Sequence, residues 1–379
     1  MKNKIIVIDQ TIREGMQHKG IVFSLEQKQK ILEFQEKLNI DICQAGYAPA
    51  HKTEAESINL LNTFVQKSKF NIAVAGMGRA LVKDAQILIE TGINHFHLHF
   101  QIREESQKSS IFANLLKTVN YIRENTEKSI ISIAMLDMGK TSDSLIKEVV
   151  KYLADTLCVD IISLPDTSGI MPPNLIFEKI KAIIKMINKP DMDKFIPKIS
   201  THCHNDMGMA NANAVMAVCA GARVIETSAL GIGERNGISD LFITSLSLKQ
   251  QGFDLNVNID DIETFKKYYN YINLIYQTQT NQSLITFNTP VFGDGVKSHV
   301  AGTHALPSDK SGFGMFTREK YYINLLCGTH LVEKYLKKEN ISFDPANLKA
   351  ITAQIKLKSA QQKRRLYKKE IIEISKRYI

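Results

Sequence analysis

Lys4-Ile5-Ile6-Val7-Ile8-Asp9-Gln10-Thr11-Ile12-Arg13-Glu14-Gly15-Met16-Gln17 is the stretch whose reading decides the fold. It opens as a nearly unbroken apolar run, the mark of a strand buried on both faces in a parallel sheet. It then turns polar and reaches Glu14 beside Arg13 and a glycine-containing turn. The next segment, 24–38, reads as a helix: Ser24 and Gln27 have capping-box spacing, and Ile31, Phe34 and Leu38 line one face. Thr53 with Glu56 is expected to start a second helix in the same manner, with Ile58, Leu61 and Phe64 as its buried stripe.

This strand-then-helix rhythm continues. Strands are expected at 4–9, 41–45, 71–75, 95–100, 129–134, 160–164, 198–202 and 223–227, with helical patterns between them. Eight such units in about 250 residues fit a closed (β/α)8 barrel better than an open sheet. The expected organisation is a barrel domain over 1–255, then a linker and mainly helical subdomains over 256–379. The segment from Val291 to His304 is rich in glycine and histidine, and the pattern from about Arg318 is helical.

With 44% hydrophobic and 23% charged residues among 379, the chain has enough apolar side chains for one large core and a smaller appendage. No run approaches the roughly 20 apolar residues of a membrane span, and Met1-Lys2-Asn3-Lys4 leads straight into a strand. A cytoplasmic protein without membrane contact is therefore expected. The five cysteines show no CxxC spacing, so reduced thiols are expected and not a disulfide framework. The net charge of +9 sits largely in the last segment, where a solvated basic helix face is the first reading and no nucleic-acid-binding fold is recognisable.

The chemistry begins at Ser200-Thr201-His202-Cys203-His204-Asn205-Asp206. Residues two apart on a strand face the same way, so His202 and His204 present two imidazoles together at a strand end, with Cys203 on the opposite face. Alone, such a pair reads as packed histidines. With one carboxylate it becomes a site for a divalent metal, and Glu14 supplies one, because barrel chemistry sits at the C-terminal strand ends, where both segments fall. His95, His97 and His99 also share a face, yet no acidic partner lies nearby in sequence. His97 or His99 is expected to line a cavity and not to bind metal. Gly231-Ile232-Gly233 lacks the third glycine of a dinucleotide fingerprint and follows the eighth strand, so a tight turn is expected, with Glu234 and Arg235 as an ion pair.

Three motifs together carry a family resemblance: Asp9-Gln10-Thr11-Ile12-Arg13-Glu14-Gly15-Met16-Gln17, His202-Cys203-His204-Asn205-Asp206-Met207-Gly208, and Gly231-Ile232-Gly233-Glu234-Arg235-Asn236-Gly237. Over essentially its whole length the chain resembles the acyl-CoA-condensing branch of the pyruvate carboxyltransferase-like metal-dependent barrels, the homocitrate, isopropylmalate and citramalate synthases, with hydroxymethylglutaryl-CoA lyase more distant. The resemblance implies a divalent metal (Mg, Mn or Zn) on Glu14, His202 and His204, and acyl-CoA and 2-oxo acid substrates. It implies Arg13 stabilising the alkoxide, with His299 or His304 moving a proton. It places Gln17, Thr167, Lys140 and Asp9 on the substrate side, with Asp9 orienting Arg13 or a ligand. A homodimer is also implied. Glu14 and Ile238 are similar to homocitrate synthase, whereas 45–49 and 76–80 are similar to isopropylmalate synthase.

Departures from the family pattern are also present. Leu136 stands where an acid is usual, Lys140 where an arginine grips the oxo acid, and Gln44 where a glutamate is common. They keep two alternatives in view: a metal-dependent carbon–carbon lyase or aldolase, and a degenerate paralogue that binds a metabolite.

Overall fold

The computed structural model describes residues 4–18, 20–188, 195–285 and 321–378. Eight parallel strands succeed one another around a ring: β1 (Lys4–Asp9), β2 (Ile42–Tyr47), β3 (Ala73–Arg79), β4 (His95–Phe100), β5 (Ile130–Met135), β6 (Ile161–Ser163), β7 (Lys198–His202) and β8 (Val224–Thr227). Pairing of β1 with both β2 and β8 seals the ring, giving the expected (β/α)8 barrel.

Local sequence sets the helices between strands. Leu25–Lys37 starts on the full capping box of Ser24 and Gln27. The next helix, Lys52–Ser68, corrects the expectation at Thr53: its cap is His51, whose Nδ1 accepts from the Thr53 amide at 3.2 Å. A ring nitrogen does there what a hydroxyl oxygen usually does.

A short ninth strand, β9 (Asp254–Leu255), lies along the start of β1, with Lys4 opposite Asp254. The sequence reading missed it, because two residues carry no periodicity.

The barrel interior is layered. One apolar cluster joins Ile8, Ile42, Ala75, Ile161 and Val224, side chains from five different strands. Towards the C-terminal ends the filling turns polar, with Ser132, Ser163, Ser200, His97 and Glu226 all buried. Alternation decides which residues face in: Ile8, Glu226 and His202 share one register level and point inward together. Asp9, one residue past Ile8, has the opposite parity and points into the surrounding helices.

The chain divides into two compact units, residues 1–285 and 286–379. The helix Ile262–Thr280 belongs to the first and buries Phe265, Tyr268, Tyr269 and Ile272. In the second unit, helices Thr329–Lys338, Leu348–Gln362 and Lys368–Lys376 enclose a core of Leu331, Leu336, Ile351, Ile355 and Ile371. The described residues of that unit, 321–378, are mainly helical, as expected. Among the described residues no helix is long and apolar enough to cross a membrane.

Candidate metal centre

Glu14 and the histidine pair, nearly two hundred residues apart in sequence, meet at the C-terminal mouth of the barrel. Glu14 sits on the short helix Thr11–Gly15 that follows β1, while His202 ends β7 and His204 is two residues beyond. One donor atom from each lies within 4.8 Å of the others, and all three side chains are buried. The two Nε2 atoms face each other at 3.1 Å. Donors sharing one cation at about 2.0–2.2 Å each stand roughly 3 Å apart, so the rings fit joint ligation as they stand. Neither Nδ1 closes a hydrogen bond of good geometry, although the Glu226 carboxylate stands 3.3 Å from that of His202.

Charge at the centre follows from burial and neighbours. Burial raises the Glu14 pKa, but Arg13, His202 and His204 together outweigh it, and the carboxyl titrates below its ordinary range. His204 is pushed down to about 3 by burial, with the charge of His202 in support. A carboxylate beside an imidazole that resists protonation is a donor state that suits a metal.

The glycines of the third motif make room for this arrangement. A Cβ on Gly233 would press within 2.8 Å of Glu14 Cγ. Gly237 has φ +82°, and a Cβ there would lie 1.9 Å from the Gly231 carbonyl oxygen. The Glu234 amide donates to Glu14 Oε1 at 3.2 Å, which fixes one carboxylate oxygen. Arg235 does approach Glu234, at 3.4 Å, but its closer partner is Asp206, gripped at 2.8 and 3.0 Å.

Arg13 lies at the mouth, 8% exposed. Its guanidinium donates to Gln44, Gln10, Gln17 and Glu14. Gln44, noted as a departure, thus keeps an acceptor facing Arg13 without adding charge. Gln17 and Thr167 line the same cleft of about 670 Å³, as do His97, His99, Tyr47, Met77, Ala134 and Leu136. Thr167 Oγ1 accepts from the Asp137 amide at 3.0 Å, leaving the hydroxyl hydrogen to donate elsewhere.

Two expected site residues lie elsewhere. Asp9 does not reach Arg13: it is buried, accepting from Thr11 and, at 2.7 Å, from Tyr268 Oη. Its parity on β1 sends it there. Lys140 is 62% exposed and leans on Asp137 at 3.6 Å, away from the cleft lining. His299 and His304 lie outside the described residues.

One residue of the site was not anticipated. Glu226, 2% exposed in mid-barrel, accepts from Ser163 at 2.6 Å, Gln10 at 2.7 Å and Ser200 at 2.8 Å. Its Oε2 stands 3.3 Å from His202 Nδ1. Burial works against its charge, but His97, His202 and Ser163 outweigh it and hold the carboxyl below its usual range. The signal was present in Val224-Ile225-Glu226-Thr227: a lone acid in an apolar barrel strand needs partners.

The profile of the HMGL-like family matches residues 4–268. The chain is 29% identical over 372 residues to a probable 2-isopropylmalate synthase of Methanosarcina mazei, covering 93% of this chain and 67% of that protein. It is 25% identical over 371 residues to the 2-isopropylmalate synthase of Sulfolobus acidocaldarius, covering 93% and 90%. Among solved structures, hydroxymethylglutaryl-CoA lyase from Pseudomonas aeruginosa superposes with a TM-score of 0.59 at 14% identity, covering 76% of this chain and 97% of that one. That likeness speaks for the fold alone.

Proposed function

We propose, from the premise that this chain belongs to the HMGL-like family, that it is an acyltransferase condensing acetyl-CoA, or a short acyl-CoA, with a 2-oxo acid at a divalent metal. The observation that carries this reading is the convergence of Glu14, His202 and His204 at the barrel mouth. A cation held there supplies Lewis acidity toward a ketone oxygen, and magnesium, manganese and zinc all accept this donor set.

The chain's own groups supply the rest. Arg13 holds positive charge beside Glu14, where negative charge develops on oxygen as a carbon nucleophile attacks a ketone. Its four partners fix the guanidinium before substrate arrives, so no reorganisation is needed at the moment of reaction. Thr167 has a hydroxyl hydrogen to offer the oxo acid's carboxylate, and Gln17 borders the same space. Glu226 stands behind His202 and favours the tautomer that leaves Nε2 as a lone pair. His299 and His304 remain the proposed proton carriers.

The cleft wall also suggests which oxo acid enters. Met77, Ala134 and Leu136 make it apolar, and Lys140 is engaged with Asp137. Among the described residues a second substrate carboxylate would meet no spare cation there, so the proposed substrate has an uncharged aliphatic side chain and the product is an alkylmalate-type diacid. The lyase alternative has less support, since the relatives compared are named as synthases. The reading extends to a cytoplasmic homodimer, in keeping with five unpaired cysteines for the compartment.

The test is release of CoA thiol from acetyl-CoA, metal present, against a panel of aliphatic and dicarboxylic 2-oxo acids. Release with an aliphatic member is expected. No release with any member overturns the proposal, and turnover above background excludes the degenerate paralogue that Leu136 brings to mind.

A further inference from the structure

The net charge of the protein is not spread evenly. Residues 1–285 balance thirty-one Lys and Arg against thirty-one Asp and Glu, whereas residues 321–378 carry thirteen against five. Residues 321–378 therefore hold nearly the whole positive excess, and their field attracts anions whatever the barrel does.

Within that unit the excess meets aromatic rings at one place. Leu366 donates from its backbone amide to the Ile323 carbonyl at 2.9 Å, drawing two extended segments together. Ile323 and Leu366 are buried in the core beneath, and their chain neighbours Tyr322, Arg365 and Tyr367 are exposed. The Arg365 guanidinium lies 5.3 Å from the Tyr322 ring and 5.9 Å from the Tyr367 ring. Lys338, ending the helix Thr329–Lys338, sits 4.8 Å over the Tyr321 ring. These side chains, with Tyr335, border a cavity of about 380 Å³, within the roughly 300–1,000 Å³ of small-molecule sites.

Nearby cations are largely neutralised: Lys368 pairs with Glu339 at 2.7 Å and Arg364 with Glu370 at 2.9 Å. Arg365 differs. Among the described residues no carboxylate lies within ion-pair distance of it, and its contacts are ring faces. An exposed guanidinium oriented by two aromatic planes offers a phosphate fork and a stacking surface side by side. Aromatic bases bearing phosphate are bound by that combination of groups.

We infer that the Tyr322, Arg365 and Tyr367 groove is a binding site for a phosphorylated adenine nucleotide, the base stacking on tyrosine and a phosphate meeting Arg365. Two sources share this chemistry: the nucleotide end of the acyl-CoA required by the proposed function, on which that arm rests, and a free nucleotide.

The experiment titrates the full-length protein calorimetrically with adenosine 3′,5′-bisphosphate, ATP, adenosine and inorganic phosphate. The bisphosphate or ATP is expected to bind at least tenfold tighter than adenosine or phosphate alone, and R365E and Y322A each to weaken it at least tenfold. Both positions are exposed, and metal binding at Glu14, His202 and His204 should be unchanged. A wild-type protein that binds no adenine nucleotide, or variants that bind it equally well, overturns the inference. A tenfold rise in KM for acetyl-CoA in R365E, with kcat within twofold, assigns the groove to the thioester. Nucleotide binding with an unmoved KM assigns it to a free nucleotide. Nucleotide binding without turnover of any oxo acid would sink the condensation reading and leave the groove standing.

Discussion

Replacing Glu226 by glutamine tests whether the carboxylate behind His202 sets the strength of the metal centre. The substitution keeps volume and removes charge. In the native arrangement Oε1 accepts from Ser163 and Ser200, and Oε2 accepts from Gln10 and faces His202 Nδ1 at 3.3 Å. An amide has only one acceptor oxygen. With that oxygen kept by the serines, its NH2 group would face the Gln10 NH2, which cannot turn over freely because Gln10 Oε1 accepts from Arg13 at 2.9 Å. His202 Nδ1 then loses the carboxylate that faces it, and the ring is free to take the tautomer with hydrogen on Nε2, the wrong one for ligation. Loss of such support typically costs 10–100-fold in metal affinity, about 1.4–2.7 kcal/mol. Calorimetric titration of metal-free protein with Zn²⁺ or Mn²⁺ measures this directly, and E226D, which retains the charge, should recover part of the loss. An E226Q protein with native circular dichroism and wild-type metal affinity would refute the reasoning.

Three further outcomes follow from the same structure. Burial holds His95 down to about 3, against about 6.5 in the unfolded chain, so the stability from keeping it neutral is full above pH 6.5 and lost progressively as pH falls from 6.5 toward 3. Between pH 7 and pH 5 that share amounts to about 2 kcal/mol; urea denaturation of wild type and H95Q at the two pH values should show a smaller pH loss in the variant, and equal losses would count against it. Tyr268→Phe removes a fully buried hydroxyl that donates to Asp9 at 2.7 Å and is expected to cost about 1–3 kcal/mol of stability, with metal affinity unmoved; a change in metal affinity would return Asp9 to the site. Leu136→Arg places a cation in the apolar wall and should shift kcat/KM toward dicarboxylic oxo acids by at least about tenfold relative to aliphatic ones. An unchanged ratio would mean that this wall does not read the substrate.

The barrel was legible because eight apolar runs alternate with amphipathic helices, and the centre because HxH spacing at a strand end has one geometric meaning. Errors came where parity or partners were needed. Asp9 looks like a site residue in its motif, yet standing next to inward-facing Ile8 it must face outward, where Tyr268 from a distant helix meets it. Glu226 was passed over because its partners come from β6, β7 and the residue just after β1, and no local pattern brings them together. Lys140 was placed by the resemblance alone, and its short reach to Asp137 is settled by the loop after β5. His51 shows the same limit on a small scale: a ring nitrogen took a capping role assigned to a hydroxyl.

Strand β1 is gripped on one side by β2 and on the other by β8, the last of the ring to be made. Glu14 hangs from the end of that first strand, and its two histidine partners arrive only with the seventh. A nascent or truncated chain lacking the later strands therefore owns a carboxylate with nothing opposite it, and no half-built version of the protein should hold a metal weakly or turn over slowly. On the proposed assignment of the ligands, ion uptake would report that the barrel has brought the ends of its first and seventh strands together, so activity and folding of the barrel would be gained together and lost together.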